Sequence, residues 1–243
     1  MLSFLSISIF LLLLLDINKG HAAHDARRLR LPSHPRRRSL NDSAPFPVTG
    51  IPSGASGPVP QRLEIRQLQK NTYQWNLYLL AMAQYQSMNQ STMTSYYQIA
   101  GIHGRPFVPW DNVPFAPGRK GGYCTHSSTL FPTWHRPYVA LFEQVLYGIV
   151  QDIASSFGNQ SGYVTAAVSF RAPYWDWLLP PSAGQDSMPA CISSPAMVQV
   201  NTPNGTLMIS NPLYRYRFSP LSSAQFPDHP VEPILLDSIT VQS

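Results

Sequence analysis

The chain has 243 residues, of which 44% are hydrophobic, 12% are aromatic and 12% are charged. This length and apolar content suit a single globular domain with a sizeable core and argue against a second one. The 24 prolines and the low charge content predict few helices, joined by long and irregular connections.

The first 22 residues have the features of a signal peptide. An apolar run over 2–15 is too short to span a bilayer, and the small residues Ala22 and Ala23 follow it. A signal anchor is the alternative, because no basic residue precedes the run. The sequence therefore predicts a secreted protein without a stable membrane span. Export agrees with four N-glycosylation sequons, at Asn41, Asn89, Asn159 and Asn204.

Residues 23–59 form a basic stretch followed by a Pro/Gly/Ser-rich linker, and we expect this segment to be disordered. The net charge of 23–40 is +5, which equals the formal charge of the whole chain. This stretch lacks interleaved aromatic residues and a binding fold, so the basic charge does not indicate a nucleic-acid partner. A spacer or a propeptide cut at dibasic sites explains it better. We expect ordered structure to begin near Pro60 and a single domain to occupy 60–243.

Helical patterns dominate the first half of that domain. Residues 62–70 predict a short helix or an extended lead-in, and Asn71 is a suitable N-cap for a helix that ends at Met88. Its apolar stripe consists of Leu68, Trp75, Leu79 and Met82. A short helix over 95–100 is predicted to end at Gly101. We expect the apolar stripe to pack in the core.

The strongest helical pattern covers 133–157. Apolar residues recur there at steps of three and four, at Tyr138, Phe142, Leu146, Ile149 and Ile153. Pro137 is expected in the first turn, where few backbone donors are yet committed. Residues 158–162 break this helix, and 164–170 form either a strand or a further helix. The aromatic segment 172–177 is expected to pack against the site described next, and turns dominate from residue 178 onward.

Three histidines with the spacing H-x22-H-x8-H and one cysteine form a candidate metal site. His103, Cys124 and His126 precede the long helix, and His135 lies in its first turn. His135 is held by the helix, His126 lies in a loop of small and polar residues, and His103 follows the short helix. We expect these side chains to converge on one ion, since three neutral imidazoles suit copper or zinc. Any one histidine alone is more often a hydrogen-bonded core or surface residue. No suitable fourth ligand for a closed zinc site is at hand.

The run CTHSSTLFPTWHRPYVALFEQVL resembles the first-copper half of the tyrosinase and polyphenol oxidase family, most closely its fungal members. IHGRPFVPW upstream and RAPYWDW and NPLYRYRF downstream extend the resemblance over 60–218. It implies a mainly α fold, a partial antiparallel helical bundle with long irregular loops. It also implies copper as the cofactor and the oxidation of mono- or o-diphenols to o-quinones with O2, so the partners would be a small phenol and dioxygen.

The same resemblance implies roles for individual residues. His103, His126 and His135 match the three ligands of the first copper, and Cys124 matches the cysteine that fungal members join to the ring of the second ligand, here His126, by a thioether. The alternative for the cysteines is a disulfide between Cys124 and Cys191. Arg136 and Asp176 match positions for which we expect an ion pair between the ligand helix and the YWDW segment.

The sequence also departs from the family. A coupled dicopper site needs six histidines, whereas the remaining ones are His21, His24, His34 and His229. We therefore expect a chain truncated before the second copper site, impaired in turnover, with exposed apolar surface on the inner faces of 71–88 and 133–157. The alternatives are a non-catalytic mononuclear copper-binding fragment and oxygen carriage of the haemocyanin type.

Overall fold

The computed structural model describes residues 45–52, 58–117, 122–158, 161–181, 184, 186–221 and 226, which all belong to one unit. The predicted signal peptide and the basic stretch lie outside the described residues. Within them, the helices are α1 Ile65–Leu68, α2 Thr72–Ser87, α3 Tyr96–Gly101, α4 Phe131–Ser156, α5 Ser161–Val168 and α6 Ala190–Ser193. The strands are β1 Met197–Thr202 and β2 Gly205–Ser210. The described part of the chain is therefore mainly helical, as predicted.

Helix α2 is the central element of the core. Asn71 caps it as predicted, because its side-chain oxygen accepts a hydrogen bond of 3.2 Å from the Gln74 backbone N–H. The helix packs against α4, α5 and β1. Six consecutive residues at 77–82 are all buried, so apolar side chains surround the helix instead of forming a single stripe. The expectation of an exposed inner face on 71–88 is therefore wrong.

Helix α4 is the long helix predicted over 133–157, but it begins two residues earlier, at Phe131. Pro132 takes the first turn, so the expectation for Pro137 is wrong: this proline lies inside the helix and leaves the Thr133 carbonyl without a backbone donor. The second half buries a continuous apolar face, worth about 1.5–3 kcal/mol for each fully buried side chain. That face consists of Leu141, Leu146, Ile149, Val150, Ile153 and Ala154.

The first half of α4 is far more open than the second. Phe131 and Val139 are exposed, as is Leu130 just before the helix. Of these three residues only Val139 lies within 133–157, so the expected exposed apolar surface on that range is confirmed at Val139 alone. The helix ends at Ser156, and Gly158 follows in the left-handed region with a φ of 60°.

The region after α4 holds one predicted helix and one hairpin that the sequence did not predict. Residues 164–168 lie within α5, so the helical alternative is correct for them, and the helix ends before residues 169–170. Strands β1 and β2 pair antiparallel, with Met197 opposite Ser210 and Thr202 opposite Gly205. The carboxamide of Asn76 in α2 holds this hairpin, since it accepts from the Asn201 N–H at 2.7 Å and donates to the Asn201 carbonyl at 2.9 Å. No helix among the described residues is long and apolar enough to cross a bilayer.

An extended segment at 45–52 lies against α4. The Gln144 side-chain oxygen accepts hydrogen bonds from the backbone N–H groups of Thr49 at 2.8 Å and Gly50 at 3.0 Å. Its amide nitrogen donates to the Pro47 carbonyl at 3.1 Å. These bonds fix part of the stretch that the sequence assigned to a linker, so ordered structure does not first appear near Pro60.

Candidate metal centre

His103 is positioned by the end of α3. Ser95 caps the start of this helix, and its last residue, Gly101, is buried where the chain folds back. The Val108 N–H donates to the Gly101 carbonyl at 3.0 Å, and a Cβ atom on Gly101 would lie 2.4 Å from the Val108 Cγ2. Any larger residue at 101 would therefore force Val108 to shift. The half-buried His103 ring is thereby held at a fixed place beside α4.

His135 lies on α4, one turn after Phe131. Its Nδ1 is 2.8 Å from the Phe131 carbonyl oxygen, a geometry in which Nδ1–H donates. The other ring nitrogen, Nε2, then presents its lone pair and lies 3.1 Å from the Nε2 of His103. A backbone carbonyl thus sets both the orientation and the tautomer of this imidazole, as is usual for metal-binding histidines.

His126 completes a triangle of imidazole rings. Its ring centroid lies 5.3 Å from that of His103 and 5.2 Å from that of His135, and the third side, between His103 and His135, is 5.2 Å. His126 itself is exposed. Possible ligand atoms of His103, Cys124 and His126 lie within 4.8 Å of one another. The structure therefore brings together all four residues that the sequence singled out.

The imidazoles of His103 and His135 lie close enough to bind the same metal ion. Two nitrogens bound to the same ion at about 2.0–2.1 Å can be no more than about 4.2 Å apart. The 3.1 Å separation between the Nε2 atoms of His103 and His135 meets this limit. Burial, followed by the neighbouring His135 and His126, lowers the pKa of His103 and so favours the neutral imidazole that a metal requires.

Two aromatic residues of α4 support the cluster and were not assigned to it from the sequence. The Tyr138 ring is stacked on His103 at 5.5 Å between centroids, with an angle of 15° between the planes. Trp134 stacks on Tyr138 at 5.5 Å and 27°. Burial raises the pKa of Tyr138 to about 12, so the phenol stays neutral. The spacing of Trp134 and Tyr138 around His135 on one helix is the sequence signal that could have identified them.

The ligand helix is tied to the segment after α5 by Glu143. Its carboxylate accepts from Arg62 Nε at 3.0 Å and Nη2 at 2.7 Å, and from the Ala172 N–H at 3.0 Å. The expected ion pair between Arg136 and Asp176 is not formed in the described part of the chain. Asp176 instead accepts from the Leu178 N–H at 3.1 Å, because its side chain closes a local turn.

The segment 172–177 does not pack against the cluster, contrary to the prediction. Tyr174, Trp175 and Trp177 are 49%, 39% and 76% exposed. Backbone hydrogen bonds explain their orientation: the Tyr174 N–H donates to the Leu63 carbonyl at 3.1 Å, and the Ile65 N–H donates to the Tyr174 carbonyl at 2.8 Å. The main chain is held by the residues around α1, while the rings point outward.

The two cysteines are not joined by a disulfide, so that alternative is not supported. Cys191 is only 6% exposed, and burial raises the pKa of its thiol to about 11. Cys124 is half-buried next to the imidazole triangle. The two thiols therefore sit in different environments, one within the core and one beside the site.

The chain is similar to a known family of proteins. The common central domain of tyrosinase matches residues 93–237. The tyrosinase of Neurospora crassa is 47% identical over 191 residues, which make up 73% of this chain and 28% of that protein. The tyrosinase of Podospora anserina is 46% identical over 193 residues, 74% of this chain and 34% of that protein. The chain thus spans about a third of the length of the curated relatives it matches.

Solved structures give the same result for the fold. Mushroom tyrosinase, crystallised in latent and active forms, superimposes with a TM-score of 0.65 at 32% identity, over 81% of this chain and 49% of that one. The matched tyrosinase structures have a helical, copper-binding fold, and copper is the cofactor that this family binds. The three imidazoles, whose ring centroids lie within 5.3 Å of one another, all fall within the matched residues 93–237, and the chain belongs to the tyrosinase family, in its fungal branch.

Proposed function

We propose that His103, His126 and His135 hold one copper ion, and that this centre serves the oxidation of phenols. The observation that carries the proposal is the triangle of three imidazole rings with sides of 5.2 to 5.3 Å. The Phe131 carbonyl supports it, because it fixes the Nε2 of His135 as the ligand atom. We also propose a copper-binding domain over 60–243, preceded by a linker at 23–59, part of which lies against α4, and by a signal peptide at 1–22 that directs export and is inferred from the apolar run over 2–15.

Bound copper would supply the redox chemistry by which dioxygen converts mono- or o-diphenols to o-quinones. For a diphenol, two substrate molecules give up four electrons and four protons, which reduce one O2 to two molecules of water. The chain's own residues provide an open, apolar approach to the ion, because His126, Phe131 and Val139 are exposed. A planar phenol ring fits such a surface by stacking on aromatic side chains.

We further propose a thioether between the sulfur of Cys124 and the ring of His126. Possible ligand atoms of these residues lie within 4.8 Å of each other. The bond would form with loss of the thiol hydrogen and one ring hydrogen, and the two electrons and two protons would pass to dioxygen at the copper. It would fix the ring of the most exposed ligand, which has no α-helix to hold it.

A second candidate function is copper binding without turnover. The described residues contain three histidines, whereas reactions at paired metals use two ions about 3.5–4 Å apart. One imidazole triangle supplies ligands for one ion. Within this candidate, the chain binds a single copper tightly and leaves catechols unchanged.

One experiment separates these candidates. The purified chain is titrated with Cu²⁺, its metal content and electron paramagnetic resonance spectrum are measured, and quinone formation from 4-methylcatechol is followed by absorbance. We expect one copper per chain with imidazole nitrogen couplings, and quinone formation above that of the same concentration of free copper. Bound copper without quinone favours the second candidate. Equal copper binding by a variant with all three histidines replaced by alanine would overturn both.

A further inference from the structure

Two asparagines within N-glycosylation sequons lie at exposed turns of the described chain. Asn204 begins the sequon Asn-Gly-Thr at the tip of the β1–β2 hairpin, and Asn89 begins Asn-Gln-Ser just after α2. Both asparagines are exposed. The copper centre uses neither residue, so their accessibility is independent of it. The sequons at Asn41 and Asn159 lie outside the described residues.

Asn204 stands at the outermost point of the hairpin. Thr202 pairs with Gly205, so Pro203 and Asn204 form a two-residue turn. The Asn204 backbone N–H donates to Thr202 Oγ1 at 3.2 Å, and Gly205 takes a φ of 118°, which suits glycine. No hydrogen bond joins the Asn204 side chain to the residues that the structure describes. Its neighbours Pro203, Gly205 and Thr206 are exposed as well, so a large substituent meets open solvent.

Asn89 is held by its own sequon in a way that leaves the reacting nitrogen available. Its Oδ1 accepts hydrogen bonds of 2.8 Å from both the N–H and the Oγ of Ser91. N-glycosylation replaces one hydrogen on Nδ2 and leaves Oδ1 as an acceptor. The turn can therefore persist with a sugar attached to Asn89.

Buried asparagines of the same chain show the opposite arrangement. Asn76 and Asn211 are both buried, and their Nδ2 atoms donate to backbone carbonyls at 2.9 Å, those of Asn201 and Cys191. A sugar on either nitrogen would break a buried hydrogen bond and displace the core. The two sequons that the structure describes thus begin with asparagines whose Nδ2 makes no such bond.

We propose that Asn204 and Asn89 are N-glycosylated; the proposal rests on the export proposed above. The donor is a lipid-diphosphate-linked oligosaccharide. The bond from its first sugar carbon to the diphosphate oxygen breaks, a bond from that carbon to Asn Nδ2 forms, and the displaced Nδ2 proton passes to a base of the transferase. The lipid diphosphate leaves, and no oxidant is needed. The attached sugars cover exposed surface and raise solubility.

The test uses the full chain in a yeast host, expressed once with its own first 22 residues and once behind a leader known to direct secretion. Secreted protein is treated with peptide N-glycosidase in heavy-oxygen water, which converts each glycosylated asparagine to a labelled aspartate. Peptide mass spectrometry then gives the occupancy of each site. We expect labelled aspartate at positions 204 and 89 in the chain secreted behind the foreign leader.

Matched variants assign each glycan to its sequon. Thr206→Val and Ser91→Ala remove the hydroxyls that define the two sequons and should each abolish one glycan, whereas Thr206→Ser and Ser91→Thr should retain it. An unlabelled asparagine at 204 or 89 in the secreted chain overturns the proposal for that site. Failure of the chain's own leader to export the protein, with both sites occupied behind the foreign leader, counts against the signal peptide and supports the glycosylation sites.

Discussion

The Nε2 atom of His103 lies 3.1 Å from the Nε2 atom of His135. Because His135 carries its proton on Nδ1, which faces the Phe131 carbonyl, the hydrogen between the two Nε2 atoms belongs to His103. A metal ion held by both imidazoles would take the place of this hydrogen, and His103 would then carry its proton on Nδ1. The two Nε2 atoms are thus close enough to bind one ion.

Removal of a proposed ligand should therefore abolish tight copper binding. For His135→Phe, which keeps an aromatic ring in place, we expect the copper dissociation constant to rise by more than about 100-fold, above the range seen when residues that orient ligands are lost. Competition with a chromogenic chelator measures this constant. As a control, the unfolding free energy of His135→Phe is measured without metal and should be close to that of the parent. Unchanged copper affinity in a folded variant would contradict the ligand assignment.

Tyr138 provides a second test, since it contacts a ligand without being one. Tyr138→Ala removes the ring stacked on His103 and should weaken copper binding by about 10–100-fold, through loss of ring orientation. Tyr138→Phe keeps the stacked ring and should bind copper as the parent does. The same chelator competition compares the two. Equal weakening in both variants would show that the hydroxyl, and not the stacking, is what matters.

Two glycines in helices should respond to alanine in opposite ways. In Gly101→Ala, the new Cβ would lie 2.4 Å from Val108 Cγ2, so we expect a loss of about 1–3 kcal/mol in the free energy of unfolding. The same variant should bind copper more weakly, because His103 is two residues away. Gly148 lies within α4, where an added Cβ would meet no atom within 4 Å, and Gly148→Ala should stabilise by about 0.5–1 kcal/mol.

Urea unfolding of the two variants gives these free energies. Gly148→Ala is the matched control, since it makes the same chemical change in a helix without the contact. A stabilising Gly101→Ala would show that Val108 moves aside freely and that the return of the chain after α3 is not tightly packed.

Glu143 should be a major stabilising residue of the ligand helix. Its side chain is 11% exposed and joins Arg62 to the Ala172 backbone. Glu143→Leu leaves the Ala172 N–H without a partner, so we expect a loss of about 2–3 kcal/mol in unfolding free energy. Glu143→Gln keeps one acceptor and should lose less. Arg62 is 42% exposed, so water can partly replace it at the carboxylate, and Arg62→Met should cost less than Glu143→Leu. Equal losses for Glu143→Leu and Arg62→Met would contradict a dominant role for Ala172.

The parts of this molecule that follow local rules were predictable from the sequence. The cap at Asn71, the end of α3 at Gly101 and the long helix with His135 each depend on residues within a few positions of one another. The gathering of His103, His126 and Cys124 was predicted from residue types and spacing, with a family resemblance to support it.

Two of the failures involve pairs that are distant in the chain. The salt link of Glu143 joins residues 81 positions apart, and the outward rings of 174–177 follow from backbone bonds to 63–65. The hairpin was missed because its strands bury little beyond Val200 and Ile209, which gives almost no alternation to detect. Such features are set by tertiary packing, which a local pattern does not contain.

Cys191 offers a prediction about pH that does not involve the metal. Burial raises the pKa of its thiol from 9.0 to about 11, so the folded state holds the proton more tightly than the unfolded state. A raised pKa contributes stability that is complete below pH 9 and is lost as the pH rises towards 11. Several buried tyrosines also titrate in the alkaline range, so the comparison is made with Cys191→Ala, which retains them. The unfolding free energy of the parent minus that of this variant, measured in urea, should decrease as the pH rises from 9 to 11. Thiol labelling gives an independent check. Below pH 9, iodoacetamide should leave Cys191 unmodified in the folded chain and label it after unfolding, since the thiolate is the reacting form. A constant difference between parent and variant across the titration would mean that the thiol is not buried as the structure shows.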